Sequence, residues 1–224
     1  MTIDEVRFRQ LTTTFLKVNE SINLSAFRSP ELCWVGNVQD SLSLVKASES
    51  IPELQQITRL CDIGTGGGFP LLPLALAWSS VSCTGIDSTT KKLTAIQQII
   101  DQEGLNNVRL VSGRLEELGH DSALRGTFDL VTARALATLP VLLEYAAPLL
   151  RIGGILACYK STKVADELSS TVHAQKLLHM PYLRTWMYNL GEHWGERTIV
   201  FFQKKAETPE EYPRANGIPK QKPL

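Results

Sequence analysis

Apolar and polar positions follow two different patterns along this 224-residue chain. Up to residue 57, apolar residues recur at helical spacing, which predicts one helix over residues 3–20 and a second over residues 31–45. From there on, short apolar runs alternate with helical stretches, as in a parallel, doubly wound α/β sheet. We therefore predict a helical N-terminal cap (1–57), an α/β core (58–205) and a C-terminal tail (206–224).

The core begins with five strand-helix units and ends with two strands that have no helix between them. The pattern predicts strands at 59–62, 81–87, 108–111, 128–132 and 155–159, and helices at 70–78, 89–103, 139–150 and 164–178. Residues 151–154 are predicted to form a turn. Tyr182–Asn189 and Thr198–Gln203 are two further strands whose connection is too short for a helical crossover, so they should form an antiparallel hairpin. The expected fold is a seven-stranded doubly wound sheet closed by this hairpin.

Composition narrows the class of protein only slightly. Basic and acidic residues number 23 each, so the net charge is zero, although a local basic patch remains compatible with that total. No signal-peptide run and no apolar stretch near 18 residues occurs, which favours a cytoplasmic protein without a membrane partner. The four cysteines and four histidines lack metal-ligand spacing. We expect buried, reduced cysteines and no metal.

The segment 60–70 contains a glycine-rich loop between a strand and a helix. It reads D-x-G-x-G-x-G, with Asp62 at the strand end followed by Gly64, Gly66 and Gly68. Such glycines permit positive φ and close approach of backbone to a ligand. The dinucleotide fingerprint would need a third glycine where Phe69 stands. The pattern instead resembles the first motif of class I S-adenosylmethionine-dependent methyltransferases, in which a terminal antiparallel hairpin is also usual.

Acidic residues follow the next two strands. Asp87 ends the second strand, where a carboxylate can accept hydrogen bonds from both ribose hydroxyls of an adenosine-bearing cofactor; the Asp87-Ser88-Thr89 segment could equally cap a helix. Leu115 and Glu116 follow the third strand, where adenine would lie. The alternative for Glu116 is a solvated acidic turn.

Arg134 follows the fourth strand and could hold a methionine carboxylate or a substrate phosphate through its planar guanidinium. It is the nearest candidate for a catalytic residue, and its alternative is a surface charge. Phe69 could pack on the cofactor or belong to the core. The fourth strand is not followed by the Asn/Asp-Pro-Pro-aromatic motif of exocyclic-amine methyltransferases, and no Pro-Cys pair supplies a nucleophile. The acceptor should then be a ring nitrogen, with positioning as the main source of catalysis.

Over nearly its whole length the chain resembles the bacterial 16S rRNA guanine-N7 methyltransferases, the glucose-inhibited division protein B family. The residues that carry the resemblance run from the cap to the last residue, namely Asn23-Leu24, Trp34-Val35, Asp40-Ser41-Leu42, 62–70, Asp87-Ser88, 114–117, Arg134-Ala135, 196–200, Tyr212-Pro213-Arg214 and 219–224. Two residues depart from the family pattern, since Asn37 replaces a usual histidine and Leu71 a common glycine.

The resemblance implies S-adenosylmethionine as cofactor, with contacts at Gly64, Phe69, 87–89, Leu115, Glu116 and Arg134. It also implies a guanine of the 16S rRNA decoding region as acceptor and 16S rRNA or the small ribosomal subunit as partner. We expect the protein to be a monomer. The replacement at Asn37 affects a possible contact with RNA. The candidate phosphate-binding cations are Lys160, Arg197, Lys204, Arg214, Lys220 and Lys222.

Three alternatives stay open at this point. The tail could be a solvated, disordered end rather than a phosphate clamp. The protein could methylate a small molecule or a protein. It could also be an adenosine-binding protein or a nucleotide-dependent oxidoreductase rather than a methyltransferase.

Overall fold

A computed structural model describes residues 4–162, 164–191 and 193–224 of the chain. Its centre is a seven-stranded sheet with the spatial order β3-β2-β1-β4-β5-β7-β6. Neighbouring strands among β1 to β5 pair in parallel, and β7 is antiparallel to both β5 and β6. The strands are β1 (Arg59–Ile63), β2 (Ser82–Asp87), β3 (Val108–Ser112), β4 (Phe128–Arg134), β5 (Leu150–Ser161), β6 (Tyr182–Asn189) and β7 (Glu196–Gln203). The predicted fold class is confirmed.

Helices cover both faces of this sheet. They are α1 (Glu5–Asn19), α2 (Pro30–Cys33), α3 (Asp40–Ser48), α4 (Leu71–Ala77), α5 (Thr90–Glu103), α6 (Leu115–Leu118), α7 (Leu139–Ala146), α8 (Ala165–Ser169), α9 (Val172–Leu177) and α10 (Ile218–Gln221). Asp4 and Ser29 begin α1 and α2 by accepting hydrogen bonds from backbone N–H groups of the first turn. Gly104, with φ of 63°, ends α5 as predicted. In the part of the chain that is described, no helix is long and apolar enough to span a membrane.

Three predicted elements differ in the structure. The cap helix expected over 31–45 contains a π-helical segment, Trp34–Gln39, between α2 and α3. The turn expected at 151–154 lies inside β5, because Gly153 at φ of 85° lets the strand bend without ending. The helix expected over 164–178 is broken into α8 and α9.

The hydrophobic core has two layers, one on each face of the sheet. Helices α1, α3, α4 and α5 share one buried cluster, so the cap packs as part of the core layer rather than as a separate body. Helices α7 and α9 belong to the other cluster, together with Tyr212 from the tail. The central strand β1 is almost wholly buried because both of its faces are covered.

The tail is folded onto the core. Arg125 donates hydrogen bonds from Nη1 to the Tyr212 carbonyl and from Nη2 to the carbonyls of Thr208 and Pro209, at 2.8 to 3.1 Å. Arg214 forms an ion pair at 2.6 Å with Glu144, whose side chain is fully buried. The alternative of a disordered, solvated end is therefore wrong.

Candidate active site

The glycine loop lies at the carboxyl ends of β1 and β2, where ligands bind in open α/β sheets. Gly64, Gly66 and Gly68 have φ values of 66°, 53° and 85°, which L-amino acids with side chains rarely adopt. A Cβ on Gly64 would come within 2.5 Å of Leu136. The loop therefore needs glycine both for its conformation and for its close approach to the end of β4.

A cavity of about 420 Å³ opens beside this loop, a size typical of small-molecule sites. Its lining brings together residues that follow β1, β2, β3 and β4 with three residues of the tail. The residues lining it are Gly64, Ile86, Asp87, Ser88, Gly113, Arg114, Leu115, Glu116, Leu136, Tyr145, Asn216, Gly217 and Lys220. We refer to it below as the first cavity.

Asp87 connects the loop to the start of α5. Its Oδ2 accepts a hydrogen bond from the Gly66 N–H at 2.9 Å, and its Oδ1 accepts one from the Thr89 N–H at 2.8 Å. The carboxylate thus organises both segments that border the cavity. Each oxygen keeps a further lone pair, so the capping role and a role in binding ribose are compatible.

Glu116 is fixed rather than solvated. It is 8% exposed, and its Oε1 accepts hydrogen bonds from the Tyr145 hydroxyl at 2.9 Å and the Gly217 N–H at 3.1 Å. Burial, together with the neighbouring Glu116 carboxylate, raises the pKa of Tyr145, so this hydroxyl stays a donor. The second oxygen of Glu116 makes no hydrogen bond to a described residue. It is free to accept one from a ligand in the first cavity.

Two buried polar atoms beside the loop have no partner among the described residues. They are Asp62 Oδ2 and Thr65 Oγ1, while Asp62 Oδ1 accepts a hydrogen bond from Thr132 at 2.7 Å. Burial raises the pKa of Asp62 to about 6. An unpartnered buried carboxylate oxygen favours a cationic ligand group. These acceptors fit a cofactor such as S-adenosylmethionine, which carries a cationic ammonium, ribose hydroxyls and an adenine amino group.

Phe69 does not line the first cavity. It is 5% exposed, and its ring meets that of Phe15 edge to face at 4.8 Å, which anchors the loop to the cap. Phe69 therefore belongs to the core, and its predicted contact with the cofactor stays a prediction. The guanidinium carbon of Arg134 lies over the Phe69 ring, 5.6 Å from the ring centroid.

Arg134 points into the cap rather than toward the first cavity. Its Nη1 donates to the Gly36 carbonyl and to Asp40 Oδ2, each at 2.9 Å, and its Nη2 donates to Asn37 Oδ1 at 2.7 Å. All three acceptors come from the π-helical segment or the residue after it. The sequence did not identify Asp40 or Asn37 as partners of Arg134, although both lie in or beside cap elements that carry the family resemblance.

A second cavity of about 290 Å³ lies on the far side of the end of β4. Its lining combines two tyrosines with four charged side chains, namely Asp40, Arg134, Ala135, Tyr159, Lys160, Ser161, Tyr188 and Arg197. Ala135 has φ of 54°, an uncommon conformation for a residue with a side chain. Residues in such conformations are enriched at active sites. This turn directs Arg134 to the second cavity and Leu136 to the first.

The candidate RNA-binding cations fall into separate environments. Arg197 lines the second cavity, and so does Lys160, which pairs with Glu167 at 2.7 Å. Lys220 lines the first cavity and Lys222 is exposed at the end of the chain.

For two of these cations, the predicted role in RNA binding is wrong. Lys204 is 1% exposed, and its ammonium donates to the carbonyls of Ala147 and Leu150 at 2.8 and 2.7 Å, so it cannot reach a phosphate. Burial lowers the pKa of Lys204 to about 8. The guanidinium of Arg214 is bound to Glu144 and serves the tail instead.

The cysteines are unsuited to nucleophilic chemistry. All four are free and buried, and burial raises the pKa of Cys83 and of Cys158 to about 12. Among the residues that the structure covers, no group of three or more His, Cys, Asp or Glu side chains is arranged to hold a metal ion.

The sheet order, the terminal hairpin and the glycine loop, together with acidic residues at the ends of β1 and β2 and after β3, define a class I, Rossmann-like methyltransferase. Solved structures share this fold. The cofactor-bound protein Rv0187 from MTB has a TM-score of 0.63 at 18% identity and covers 88% of this chain and 91% of its own. An O-methyltransferase from Bacillus cereus in complex with SAH has a TM-score of 0.59 at 19% identity, covering 87% and 91%.

Sequence comparison identifies the family within this class of methyltransferases. The family model of rRNA small subunit methyltransferase G matches residues 4–190, and the chain belongs to this family. The ribosomal RNA small subunit methyltransferase G of Desulfitobacterium hafniense is 38% identical over 206 residues, which is 92% of this chain and 83% of the relative. The protein of the same name from Streptococcus thermophilus is 36% identical over 97% of this chain and 90% of its own length.

Proposed function

We propose that this protein transfers the methyl group of S-adenosylmethionine to N7 of a guanine in small-subunit ribosomal RNA. The observation that carries the proposal is the pair of cavities on either side of the end of β4. The first offers acceptors suited to an adenosine-bearing, cationic cofactor. The second offers tyrosine walls and cations suited to a nucleobase and its phosphates.

The first cavity binds and orients the cofactor in this proposal. Asp87 accepts from the ribose hydroxyls, the free oxygen of Glu116 accepts from the adenine amino group, and Asp62 accepts from the ammonium of the methionine tail. Leu115 packs on the adenine ring. When bound, the cofactor supplies a methyl group on a sulfonium, which is electrophilic without further activation.

The second cavity holds the acceptor guanine. N7 of guanine has a free lone pair and carries no proton, so the transfer requires no general base and no nucleophilic cysteine. The contribution of the protein is positioning, with the base held near the end of β4 and water excluded. Arg197 contacts the RNA backbone at the rim, and Lys160 is a second such contact.

Family membership supports ribosomal RNA as the substrate, because the relatives are named as small-subunit rRNA methyltransferases. We propose that the partner is 16S rRNA or the small ribosomal subunit in the cytoplasm and that one copy of the chain suffices, because both cavities are formed within a single chain. A small-molecule or protein acceptor is the competing possibility.

The decisive experiment uses tritiated S-adenosylmethionine with small subunits, or 16S rRNA, from cells that lack this methylation. Label that elutes as 7-methylguanosine after nuclease digestion supports the proposal. Cofactor binding without RNA labelling would leave the fold in place and refute the substrate. Arg197→Glu should reduce labelling of RNA strongly, whereas Arg184→Glu, an exposed arginine on β6 that does not line either cavity, should not.

A further inference from the structure

A third cavity, of about 370 Å³, adjoins the second one along the outer strand of the sheet. It is a groove between the cap and β6, and its aromatic walls are Trp34, Trp186 and Tyr188. Tyr188 also lines the second cavity, so the two spaces share one wall. We call this space the aromatic groove. Nothing in the proposed chemistry of methyl transfer requires it.

The aromatic surfaces of the groove are arranged as a stacking platform. The rings of Trp186 and Tyr188 are stacked, with centroids 5.3 Å apart and planes at 23°. Tyr188 is fixed at its far end, where its hydroxyl donates to Asp40 Oδ1 at 2.7 Å. Arg9 covers the Trp34 ring at 4.2 Å from its centroid. These rings are half-buried, so part of their apolar surface is available to a flat ligand.

The charges along this face favour a polyanion. Three ion pairs balance most of the charged side chains, since Glu5 pairs with Arg9, Asp40 with Arg134 and Glu167 with Lys160. Lys46, which lines the groove, and Arg197, which lines the second cavity, form no ion pair within the described part of the chain. The shared wall at Tyr188 thus has an unpaired cation on each side.

We propose that the aromatic groove binds an unpaired nucleotide of the substrate RNA next to the guanine in the second cavity. This inference rests on the proposed function. Recognition of single-stranded RNA relies on stacking of splayed bases on aromatic side chains and on cations that follow the backbone. The groove supplies the stacking surface, Lys46 and Arg197 supply the cations, and Tyr188 connects the two base positions. The role of the groove is to keep the neighbouring base of the RNA unpaired and stacked on protein, so that the target base stays in the second cavity.

The experiment compares variants of residues on β6. For each variant it measures KM for 16S rRNA at saturating S-adenosylmethionine, together with the Kd for the cofactor. Trp186→Ala should raise KM for RNA about tenfold or more, since it removes a ring on which one base would stack. Trp186→Phe should restore most of the loss because it keeps a ring. Met187→Ala is the matched control, because this neighbour is 66% exposed and points to the opposite face of the strand. The cofactor Kd should be unchanged throughout.

Salt dependence and crosslinking test the same site without relying on Trp186→Ala. Lys46→Ala should lower the slope of log affinity for RNA against log salt by about one. Transcripts containing 4-thiouridine should crosslink to peptides that include Trp34 or Trp186. Crosslinks confined to other peptides would overturn the proposal even if Trp186→Ala failed to fold.

The outcomes separate this inference from the function on which it rests. If the wild-type protein labels no RNA, the proposed function fails first. If it labels RNA but folded Trp186→Ala keeps its KM, or Met187→Ala has an equal effect, only the groove proposal is overturned. An effect seen with intact small subunits and absent with bare 16S rRNA would also overturn it, since the groove would then contact a ribosomal protein.

Discussion

Arg134 Nη1 lies 2.9 Å from Asp40 Oδ2, and this ion pair joins the end of β4 to the cap. Both side chains are largely buried, with 19% and 11% exposed. Asp40 also accepts from Tyr188 on β6, so one carboxylate connects the cap, the centre of the sheet and its edge. The second cavity is built around this junction, which makes its shape dependent on the docking of the cap.

We predict that Arg134→Lys loosens this junction. A lysine keeps the charge but replaces a planar fork with one ammonium, which cannot reach the Gly36 carbonyl, Asn37 and Asp40 together. The free energy of unfolding should fall by about 1–3 kcal/mol for the lost buried hydrogen bonds, as measured by urea denaturation. RNA methylation should fall with it.

Arg9→Lys is the control for that substitution. Its ion pair with Glu5 is exposed, and such pairs contribute about 0–1 kcal/mol. Equal stability of the Arg134→Lys and wild-type proteins would show that the cap docks without this contact.

Asp87→Ala should weaken cofactor binding by about 1–3 kcal/mol, because it removes the hydrogen bond to the loop and the charge-assisted hydrogen bonds that we propose to the ribose. Isothermal titration calorimetry gives the change directly. Asp101→Ala is a suitable comparison, since Asp101 lies exposed at the other end of α5. This variant should bind the cofactor with the wild-type affinity. A folded Asp87→Ala variant with an unchanged Kd would reject the assigned role.

The sequence predicted the elements that local patterns control. The alternation of apolar runs gave the order of strands and helices, and the lack of room for a crossover gave the antiparallel hairpin. The glycine spacing correctly indicated positive φ at Gly64, Gly66 and Gly68. Each of these signals depends on residues close together in the chain, and sequence reasoning works best there.

Features that depend on distant residues were missed. Gly36 of the π-helical segment lies against the rings of Phe27 and Trp194, where a Cβ would clash, and Trp194 comes from the distant β6–β7 connection. Lys204 was mistaken for a phosphate contact because its carbonyl partners belong to the loop before β5 and to β5 itself. The composition of the tail suggested disorder, whereas Glu144, buried on α7, fixes it through Arg214.

Asp62→Asn should change how stability depends on pH. The ordinary pKa of an aspartate is about 3.9, and burial raises the pKa of Asp62 to about 6. Between these values the folded state binds the proton more tightly than the unfolded state. The contribution of this group to stability is therefore present below about pH 4 and is lost as the pH rises through 6.

The asparagine variant removes this dependence, so its unfolding free energy relative to the wild type should increase by about 2 kcal/mol between pH 4 and pH 7. Denaturation with urea at several pH values measures it, with Asp101→Asn as an exposed control. Parallel pH profiles of the wild type and Asp62→Asn would contradict the assignment. Cofactor affinity should nevertheless fall in Asp62→Asn at pH 7, because the variant lacks the carboxylate that we propose binds the ammonium.

Deletion of residues 215–224 should impair cofactor binding more than RNA binding. The deletion keeps the Arg214–Glu144 ion pair but removes Asn216, Gly217 and Lys220, which form one wall of the first cavity. It also removes the Gly217 N–H that orients Glu116. We expect the cofactor Kd to rise about tenfold, equivalent to about 1.4 kcal/mol, in calorimetry.

Lys222→Ala, at the exposed end, should have the wild-type Kd. If the deletion instead weakened RNA binding at saturating cofactor and left the cofactor Kd unchanged, the tail would act as a phosphate clamp.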